Sequence, residues 1–511
     1  MLERELDVSG GRRLAPPRLE DVRLADSALA EGDRAALAAV AEVRDDREAR
    51  VVHAAGKSYP DLVRQRSGDG SHAPDAVVRP ASAEAVAAVL ETCSARGIAV
   101  VPFGGGTSVV GGVEPLRGGF ASVVSLDLSA LDALAVVDER SLTVEAQAGL
   151  TLPELERRLG GRGLTLGHFP QSYEFATVGG CVATRSAGQA STGYGRIDEL
   201  VLGLRMATPS GAVELAPMPA SAAGPDLREL VVGSEGALGV ITSSWLRVRP
   251  QPEERRYEGF MFGSFGEGAE AFRALEQGGA APDVARLSDE DETRMSLAMA
   301  GGGMKARAAG AYLRARGVAG GCLAICGWEG ERDTVVRRRG RTLAMLKRHG
   351  AVPLGQAPGR AWAKGRYHGP YLRDELLSRG VFIETLETAT QWSNLFTLYR
   401  AVGEALRGSL GRCVVMCHIS HLYPTGASLY FTFLARARAG EELEQWRAAK
   451  RAASEAIVAS GGTITHHHAV GRDHAEWLPR EVGERGIAAL RAVRAELDPA
   501  GVMNPGKLLA D

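Results

Sequence analysis

The sequence predicts an α+β fold built as two lobes, and three observations support it. Residues 74–106 alternate a short strand, a capped helix and a second apolar strand that ends in glycines, which is an α/β pattern. Residues 121–250 carry further apolar runs of strand length, which predict a mixed sheet with covering helices. After a stretch rich in proline and charge at 249–259, helices alternate with strand candidates of an antiparallel sheet.

The first 73 residues are predicted to form a helical lead. The run "DSALAEGDRAALAAVAEV" is rich in alanine and begins with Asp26 and Ser27, either of which can cap a helix. No run of about 18 apolar residues occurs anywhere, so we expect no membrane-spanning segment.

The elements of the two lobes follow in order. The first lobe, 74–250, has strand candidates "FASVVSLDL", "LTVEAQAG" and "LVLGLRMAT" with one helix, "LPELERRLGGRG". The second lobe, 251–460, has "GCLAICGWEG", then "CVVMCHISHLY" and "ASLYFTFLARA", which form a hairpin across Pro424, Thr425 and Gly426. A turn-rich C-terminal segment, 461–511, completes the chain.

Composition excludes several classes of protein. At 511 residues, 45% hydrophobic and 24% charged, the chain has ordinary globular composition and length for two or three domains. Its 60 basic and 62 acidic residues supply no field that attracts a polyanion, so nucleic acid is not expected as a partner. The six cysteines lack the spacing of zinc sites, so we predict reduced packing residues, a cytoplasmic location and no metal.

The run "VPFGGGTSVVGG" has the features of a phosphate-binding loop. Its glycines let a backbone approach an anion, and Thr107 and Ser108 add hydroxyl donors. It is neither a P-loop nor the Rossmann fingerprint, because no Gly-Lys-Ser/Thr follows and Val109 stands where the last glycine is needed. Taken alone, the loop is equally compatible with a simple turn after a strand.

Three further segments favour a ligand-binding loop over a simple turn: "GHFPQSYEFATVGGCVATRSAG", "YGRIDELVLGLRMATPSG" and "LVVGSEGALGVIT". Together with "PFGGGTS" they resemble the FAD-binding domain of the vanillyl-alcohol-oxidase superfamily, which implies two α/β subdomains followed by an α/β cap domain with an antiparallel sheet. Glycines 179, 180, 236 and 239 would permit close backbone approach. The resemblance implies FAD as cofactor, with contacts at Pro102, Phe103, Gly104, Gly105, Gly106, Thr107, Ser108, Gln171, Ser172, Tyr173, Glu174, Phe175, Ala176, Thr177, Thr184, Arg185, Ser186, Ala187, Glu235, Gly236, Ala237, Leu238, Gly239, Val240 and Ile241.

The flavin is expected to be bound without a covalent link. Many members of the superfamily attach it through a histidine in the first glycine loop. This chain has Thr107 and Ser108 in that loop and no histidine.

Three consecutive histidines in "GGTITHHHAVG" narrow the resemblance. Relatives that oxidise 2-hydroxy acids commonly carry Glu-His-Gly late in the chain, whereas here His466, His467 and His468 precede Ala469-Val470-Gly471. With "ASLYFTF" and "PYLRDELLSRG", the triplet resembles the alkyldihydroxyacetonephosphate synthase family. This implies ether-lipid synthesis: the acyl group of acyl-dihydroxyacetone phosphate is replaced by a long-chain fatty alcohol through a covalent flavin adduct, with no net redox change.

Proton transfers in such a reaction suit histidine, whose ordinary pKa lies near 6.5. On an extended segment His466 and His468 would face one side and His467 the other, so one or two would meet substrate. Tyr430 matches the family's proton donor or acceptor. The plainer interpretations are structural histidines and a hydrogen-bonded sheet tyrosine.

Two arginines complete the predicted catalytic set. Arg373, in a helix from Pro370 to near Gly380, matches the family arginine that handles substrate carboxylate or phosphate. Its plainer interpretation is a surface neighbour of Asp374. Arg286 matches an arginine that the family needs, and the resemblance implies a place near the flavin.

The segment 294–317 carries Met, Leu and Tyr among Lys305, Arg307, Arg314 and Arg316, which is typical of a lipid-access helix at a membrane surface. An ordinary solvated helix fits equally well. We expect a cytoplasmic enzyme that associates with the inner face of the membrane and is able to pair with a second copy of itself as a homodimer. The alternatives are an FAD-dependent dehydrogenase or oxidase of a 2-hydroxy acid or alcohol, and a lipid-binding protein without turnover.

Overall fold

The computed structural model describes residues 2–8, 15–299, 301 and 304–510. The helices of its first part are α1 Leu2–Leu6, α2 Glu31–Ala38, α3 Arg47–Val52, α4 Tyr59–Arg66, α5 Ala83–Arg96, α6 Leu152–Gly160, α7 Val178–Ala183, α8 Ser191–Tyr194, α9 Ile197–Leu200 and α10 Arg228–Val231. The strands are β1 Arg23–Leu24, β2 Glu42–Arg44, β3 Asp69–Gly70, β4 Ala76–Arg79, β5 Ile98–Phe103, β6 Ser122–Asp127, β7 Leu134–Asp138, β8 Thr143–Gln147, β9 Leu164–Thr165, β10 Val201–Thr208, β11 Gly211–Leu215, β12 Val240–Arg247 and β13 Arg249–Pro250.

Two sheets form the first lobe. One has the order β2-β4-β6-β5, with β4, β6 and β5 parallel and β2 antiparallel at the edge. The other is antiparallel, in the order β11-β10-β12-β8-β7. Helix α5 packs between them because Val86, Val89 and Leu90 are buried on its inner face. It begins at Ser82, whose side chain accepts from Ala85 N, and ends at Gly97 in the left-handed conformation.

The second lobe is one large antiparallel sheet with covering helices. Its strands are β14 Glu254–Phe262, β15 Val284–Ser288, β16 Cys322–Gly330, β17 Val352–Gly355, β18 Val381–Gln391, β19 Cys413–Ile419, β20 Leu422–Tyr423 and β21 Gly426–Arg436, in the order β17-β14-β16-β15-β19-β21-β18 with β20 beside β21. The helices are α11 Phe265–Gln277, α12 Glu290–Met299, α13 Met304–Ala315, α14 Arg332–Arg348, α15 Gln356–Gly365, α16 Gly369–Ser378, α17 Leu395–Leu410 and α18 Glu442–Ala459. Helix α19, Leu478–Leu497, follows the histidine triplet.

Both ends of the chain cross between the lobes. Near the C-terminus, Val502 and Met503 are buried in the core of the first lobe, where Val100 N donates to Val502 O at 2.9 Å. Near the N-terminus, Leu6 and Val8 join the core of the second lobe together with Tyr59 of α4. The chain from 461 onward therefore starts against the second lobe and finishes inside the first.

Most predicted elements are observed, and the lead is the main exception. The hairpin forms with Pro424 and Thr425 between β20 and β21. The lead helix begins at Glu31 rather than after Asp26 or Ser27, with Ala30 at its N-cap and no side-chain cap, and β2 of this region pairs with β4. In the described part of the chain, no helix is long and apolar enough to cross a bilayer.

Candidate active site

A buried glutamate on β18 organises the histidine triplet. Glu387 is 1% exposed and lies opposite Tyr430 in the pairing of β18 with β21. Its carboxylate accepts from the Thr465 hydroxyl at 2.7 Å and from the backbone N–H groups of all three histidines, the one from His468 at 2.7 Å. Burial favours the neutral acid, but the three imidazoles and these donors outweigh it and hold the pKa of Glu387 well below its usual range.

The predicted alternation of the triplet is wrong. The segment is not a strand, because its N–H groups turn toward Glu387 instead of a neighbouring strand. The rings of His466 and His467 lie 5.2 Å apart between centroids, and those of His467 and His468 lie 4.7 Å apart. All three side chains therefore belong to one cluster.

Tyr430 lies in the middle of this cluster. Its ring stacks on His418 at 4.8 Å and on His467 at 5.9 Å, and His468 meets it edge-on at 5.4 Å. Burial raises the pKa of Tyr430 to about 12, so the hydroxyl keeps its proton at neutral pH. Burial also lowers the pKa of His467 to about 3 and those of His466 and His468 in the same direction, which leaves the imidazoles neutral. The cluster can therefore both donate and accept protons.

Four further residues of the cluster escape the sequence analysis. His421 lies 5.0 Å from His466 between ring centroids, and its Nε2 donates to Gly188 O at 3.1 Å. The Tyr423 hydroxyl lies 2.6 Å from His466 Nε2, and the positive charge of Arg196 acts on it. His168 is buried, and its Nδ1 has no hydrogen-bond partner among the described residues. Each comes from a separate loop or strand, so only the folded chain brings them together.

Ring nitrogens of His421, His466 and His467 lie within 4.8 Å of one another, close enough for a metal ion. The nitrogens already have protein partners, however: Gly188 O for His421 Nε2, the Tyr423 hydroxyl for His466 Nε2, and His467 Nδ1 for His466 Nδ1 at 2.9 Å. The arrangement is a hydrogen-bonded network as it stands.

Arg373 lies beside the cluster on α16, not on the free surface. Its Nη1 donates to Lys57 O at 2.9 Å, and its Nη2 lies 3.6 Å from Glu384. Nε and Nη2 are buried with no hydrogen-bond partner among the described residues. Lys450 of α18 is 5% exposed and faces both His468 and Asp473. Two cationic groups thus flank His468 with donors to spare.

Arg286 lies one layer behind Tyr430. Its Nη2 pairs with Glu292 at 2.8 Å, and its guanidinium contacts His418, the ring that stacks on Tyr430. The guanidinium and His418 hold the pKa of Glu292 well below its usual range even though burial opposes them. Arg286 therefore acts on the cluster through His418.

The four loops predicted to contact FAD lie against one another in the first lobe. Glu235 N donates to Ala183 O at 2.9 Å, which joins the loop 235–241 to the loop 184–187. A Cβ on Gly105 would lie 1.8 Å from Phe175 O, so the loops 102–108 and 171–177 touch only because this residue is glycine. These contacts bring the loops together in pairs, and their binding of FAD as one site stays a prediction.

The first of these loops offers free donors. Among the described residues, none accepts a hydrogen bond from the backbone N–H groups of Gly104, Gly105, Gly106 or Thr107. Successive unpaired N–H groups of this kind suit an anion such as a pyrophosphate. Ser234 Oγ is also buried without a partner. The residues present therefore fit the cofactor that the sequence predicts.

Two of the glycines predicted to let the backbone approach FAD, Gly179 and Gly239, are required by packing within the protein. A Cβ on Gly179 would lie 2.5 Å from Ala148 Cβ, and one on Gly239 would lie 2.6 Å from Ala207 O. Both are required by packing against neighbouring strands, so the expectation that they serve approach to a ligand is not needed to explain them.

Glu235 joins the flavin loops to the C-terminal segment. It accepts from Val470 N at 2.8 Å and Gly471 N at 2.6 Å, while Asn504 Nδ2 donates to its backbone oxygen at 2.6 Å. Burial raises the pKa of Glu235 to about 7. The residues that follow the triplet are therefore held by the first lobe, and the triplet itself by the second.

Comparison with known proteins agrees with this architecture. Residues 74–216 match the family described as "FAD binding domain", and residues 251–508 match "FAD linked oxidases, C-terminal domain". The alkyldihydroxyacetonephosphate synthase of Dictyostelium discoideum is 34% identical over 480 residues, covering 92% of this chain and 78% of the relative.

Solved structures give the same result. An alkyldihydroxyacetonephosphate synthase superposes with a TM-score of 0.83 at 30% identity, covering 99% of this chain and 91% of that chain. A p-cresol methylhydroxylase with substrate bound, at 14% identity and a TM-score of 0.72, shares the fold. These matches confirm the predicted α+β fold, the FAD-binding lobe and the family resemblance. The chain belongs to the alkyldihydroxyacetonephosphate synthase family of FAD-dependent enzymes.

Proposed function

We propose that this chain replaces the acyl group of acyl-dihydroxyacetone phosphate by a long-chain fatty alcohol, in the synthesis of ether lipids. The observation that supports this most strongly is the cluster of Tyr430 with three neutral histidines over Glu387. The exchange has no net redox change but needs protons taken up and released at several atoms, which such a cluster can do.

FAD would be held by the four loops of the first lobe, and the N–H groups of residues 104–107, which have no acceptor among the described residues, would suit its pyrophosphate. The flavin supplies a nucleophilic centre for the carbon that exchanges its substituent. It is bound without a covalent link, since the first glycine loop carries Thr107 and Ser108. Acid precipitation should leave yellow FAD in the supernatant, and flavin that stays with the pellet would contradict non-covalent binding.

The residues of the second lobe divide the remaining work. Tyr430 and His467 exchange protons with the carbon next to the ketone, the leaving carboxylate and the incoming alcohol. The unpartnered nitrogens of Arg373, with the ammonium of Lys450, bind the phosphate or the departing carboxylate. Arg286 positions His418 and, through it, the ring of Tyr430.

The test is a transfer assay without any electron acceptor. Purified protein is incubated anaerobically with acyl-dihydroxyacetone phosphate and labelled hexadecanol, and the label is followed into the ether product. Label in the ether bond supports the proposal. Bleaching of the flavin by lactate or 2-hydroxyglutarate, without labelled ether, would instead identify the dehydrogenase that is the alternative.

We propose further that the enzyme draws its substrates from a membrane surface through the segment 294–317. Leu297, Met299 and Tyr312 are exposed on α12 and α13, and Arg307, Arg314 and Arg316 are exposed beside them. Apolar and basic groups on one exposed segment favour an interface with anionic lipid. Ala300, Gly302, Gly303 and the side chain of Lys305, which also belong to the predicted segment, lie outside the described residues.

Pelleting with anionic vesicles at low salt tests the membrane proposal. Replacing Lys305, Arg307, Arg314 and Arg316 by glutamine should weaken pelleting and leave FAD content unchanged. A matched variant removes four exposed basic residues of α14, namely Arg332, Arg337, Lys347 and Arg348, and should pellet like the wild type. Equal pelleting of all three proteins would show that the segment 294–317 does not contribute to membrane binding.

A further inference from the structure

Among the described residues, the hydroxyl of Tyr423 has a single hydrogen-bond acceptor within reach. Tyr423 ends β20, and its other polar neighbour is the positive charge of Arg196, which has only donors. The hydroxyl proton is then directed to the other close partner, His466 Nε2 at 2.6 Å. The ring of Tyr423 meets that of His466 at 61° with centroids 5.7 Å apart, which keeps the hydroxyl at the edge of the imidazole.

This bond fixes the protons of two histidines in turn. His466 accepts at Nε2, so in its neutral form it carries its proton on Nδ1. Its Nδ1 lies 2.9 Å from His467 Nδ1 and must donate to it. His467 accepts at Nδ1 and therefore carries its own proton on Nε2.

The last nitrogen of this hydrogen-bonded series, His467 Nε2, faces the side of the cluster where Tyr430 lies. Among the described residues, none accepts from His467 Nε2, and 15% of the His467 side chain is exposed. The same ring stacks on Tyr430 at 5.9 Å. The donors and acceptors thus form one directed path, Tyr423 to His466 to His467, which ends at an open position beside Tyr430.

We propose that Tyr423 is the proton reservoir of the active site and delivers its proton through His466 and His467; this rests on the exchange reaction proposed above. A substrate atom takes the proton from His467 Nε2, the Nδ1 proton of His466 moves to His467 Nδ1, and the Tyr423 proton moves to His466 Nε2. Three N–H or O–H bonds break and three form, and the negative charge of the substrate atom ends on the Tyr423 oxygen. The reverse sequence takes a proton from the alcohol and restores the phenol.

The path explains why neutral histidines serve as acids here. A neutral imidazole alone is a poor acid, because loss of its remaining proton leaves an imidazolate. Coupling it to a tyrosine places the charge on the Tyr423 oxygen, where burial raises the pKa of Tyr423 and the positive charge of Arg196 offsets part of that rise. Glu387 holds the backbone of both histidines in place from below.

Replacing Tyr423 by phenylalanine removes the hydroxyl and keeps the ring. In Tyr423→Phe, kcat of alkyl exchange should fall about 10²-fold, the scale of a lost acid–base group, with KM and FAD content unchanged. The solvent isotope effect on kcat should fall to that of a single proton in flight. The control is Tyr399→Phe, another buried tyrosine, whose hydroxyl bonds Asp289 at 3.0 Å away from the cluster; it should keep kcat and the isotope effect of the wild type.

A measurement on the wild type tests the same path without a variant. Nitrogen-15 NMR of labelled histidines, assigned by single substitutions among the 11 histidines, should show a proton on Nδ1 of His466 and on Nε2 of His467. The relay is wrong if the two histidines carry the opposite tautomers, or if Tyr423→Phe keeps kcat within threefold of the wild type. It is also wrong if the purified wild type holds one equivalent of zinc that His421→Gln loses, since the histidines would then be metal ligands. Failure of the proposed function is distinct, since the wild type would then form no labelled ether at all.

Discussion

The residues 463–473 are held at their two ends by two buried glutamates with opposite behaviour. On the side of the second lobe, Glu387 accepts four hydrogen bonds beside three imidazoles, and its pKa lies well below the ordinary range. On the side of the first lobe, Glu235 accepts two hydrogen bonds, and burial raises its pKa to about 7. Both carboxyls are desolvated, so the number of hydrogen-bond donors, four against two, decides which one stays ionised.

The difference separates two tasks. The Glu387 end holds the histidines against Tyr430, so we assign the proton transfers to this end. The Glu235 end attaches the same segment to the loop 235–241 beside the flavin loops, and so carries the attachment between lobes. Substitutions at the first end should act on turnover and on local rigidity, whereas those at the second should act on stability and on retention of FAD.

Tyr430→Phe is the largest expected effect and tests the chemical end. It removes one hydroxyl and little volume, so turnover in alkyl exchange should fall by about 10²- to 10⁴-fold. FAD content and the unfolding midpoint should remain those of the wild type. His467→Ala should lose turnover in the same way. Near-normal rates in both variants would show that Tyr430 and His467 have structural roles only. The proposed difference in task between the Glu387 end and the Glu235 end would then be wrong.

Glu387→Gln should have the second-largest effect, on stability. The amide nitrogen would face N–H groups that now donate to a carboxylate, and at least one buried donor would lose its partner. We expect the free energy of unfolding to fall by about 3 kcal/mol, the upper part of the range for an unsatisfied buried group. Denaturant unfolding measures it, and nitrogen-15 spectra should show that the triplet loses its fixed tautomers. A loss under 1 kcal/mol would mean that the triplet holds itself without this carboxylate.

Sequence alone predicts part of this arrangement, and the missing part is non-local. Tyr430, the triplet and Arg373 stand in local motifs that resemble the family, so they can be found in the printed sequence. Glu387 stands in "VFIETLETATQ", and only the register that places it opposite Tyr430 reveals its role. Two glutamates, Glu384 and Glu387, within one run of apolar and β-branched residues were the available signal. Tyr423 and Arg196 gave none, because their contact joins segments more than 200 residues apart along the chain in separate lobes.

Glu235→Gln should have a smaller effect than Glu387→Gln. The amide oxygen can still accept from one of the two N–H groups, of Val470 or Gly471, so one donor is lost rather than several. We expect the free energy of unfolding to fall by about 2 kcal/mol at pH 6. Because this residue touches the flavin loops, FAD should also dissociate faster, as followed by recovery of flavin fluorescence. Unchanged FAD release with an equal loss of stability in both glutamine variants would show that the two ends do not differ.

The smallest expected effect is the pH dependence of that loss, and its sign follows from the raised pKa of Glu235. A carboxyl whose pKa is about 7 in the folded protein and 4.5 ordinarily holds its proton more tightly when folded. Its contribution to stability is therefore complete below pH 4.5 and disappears as the pH rises through 7. Between pH 6 and 8 the wild type should lose about 1.4 kcal/mol from this group, one pKa unit of free energy, while Glu235→Gln loses none of it. Asp289 and Asp473, whose pKa values burial also raises to about 7, titrate in both proteins and cancel in the difference. The gap in stability between wild type and variant should thus narrow from pH 6 to pH 8. A gap that stays constant would mean that Glu235 is ionised throughout, held like Glu387 by its hydrogen bonds, and the contrast between the two ends would then be one of position alone.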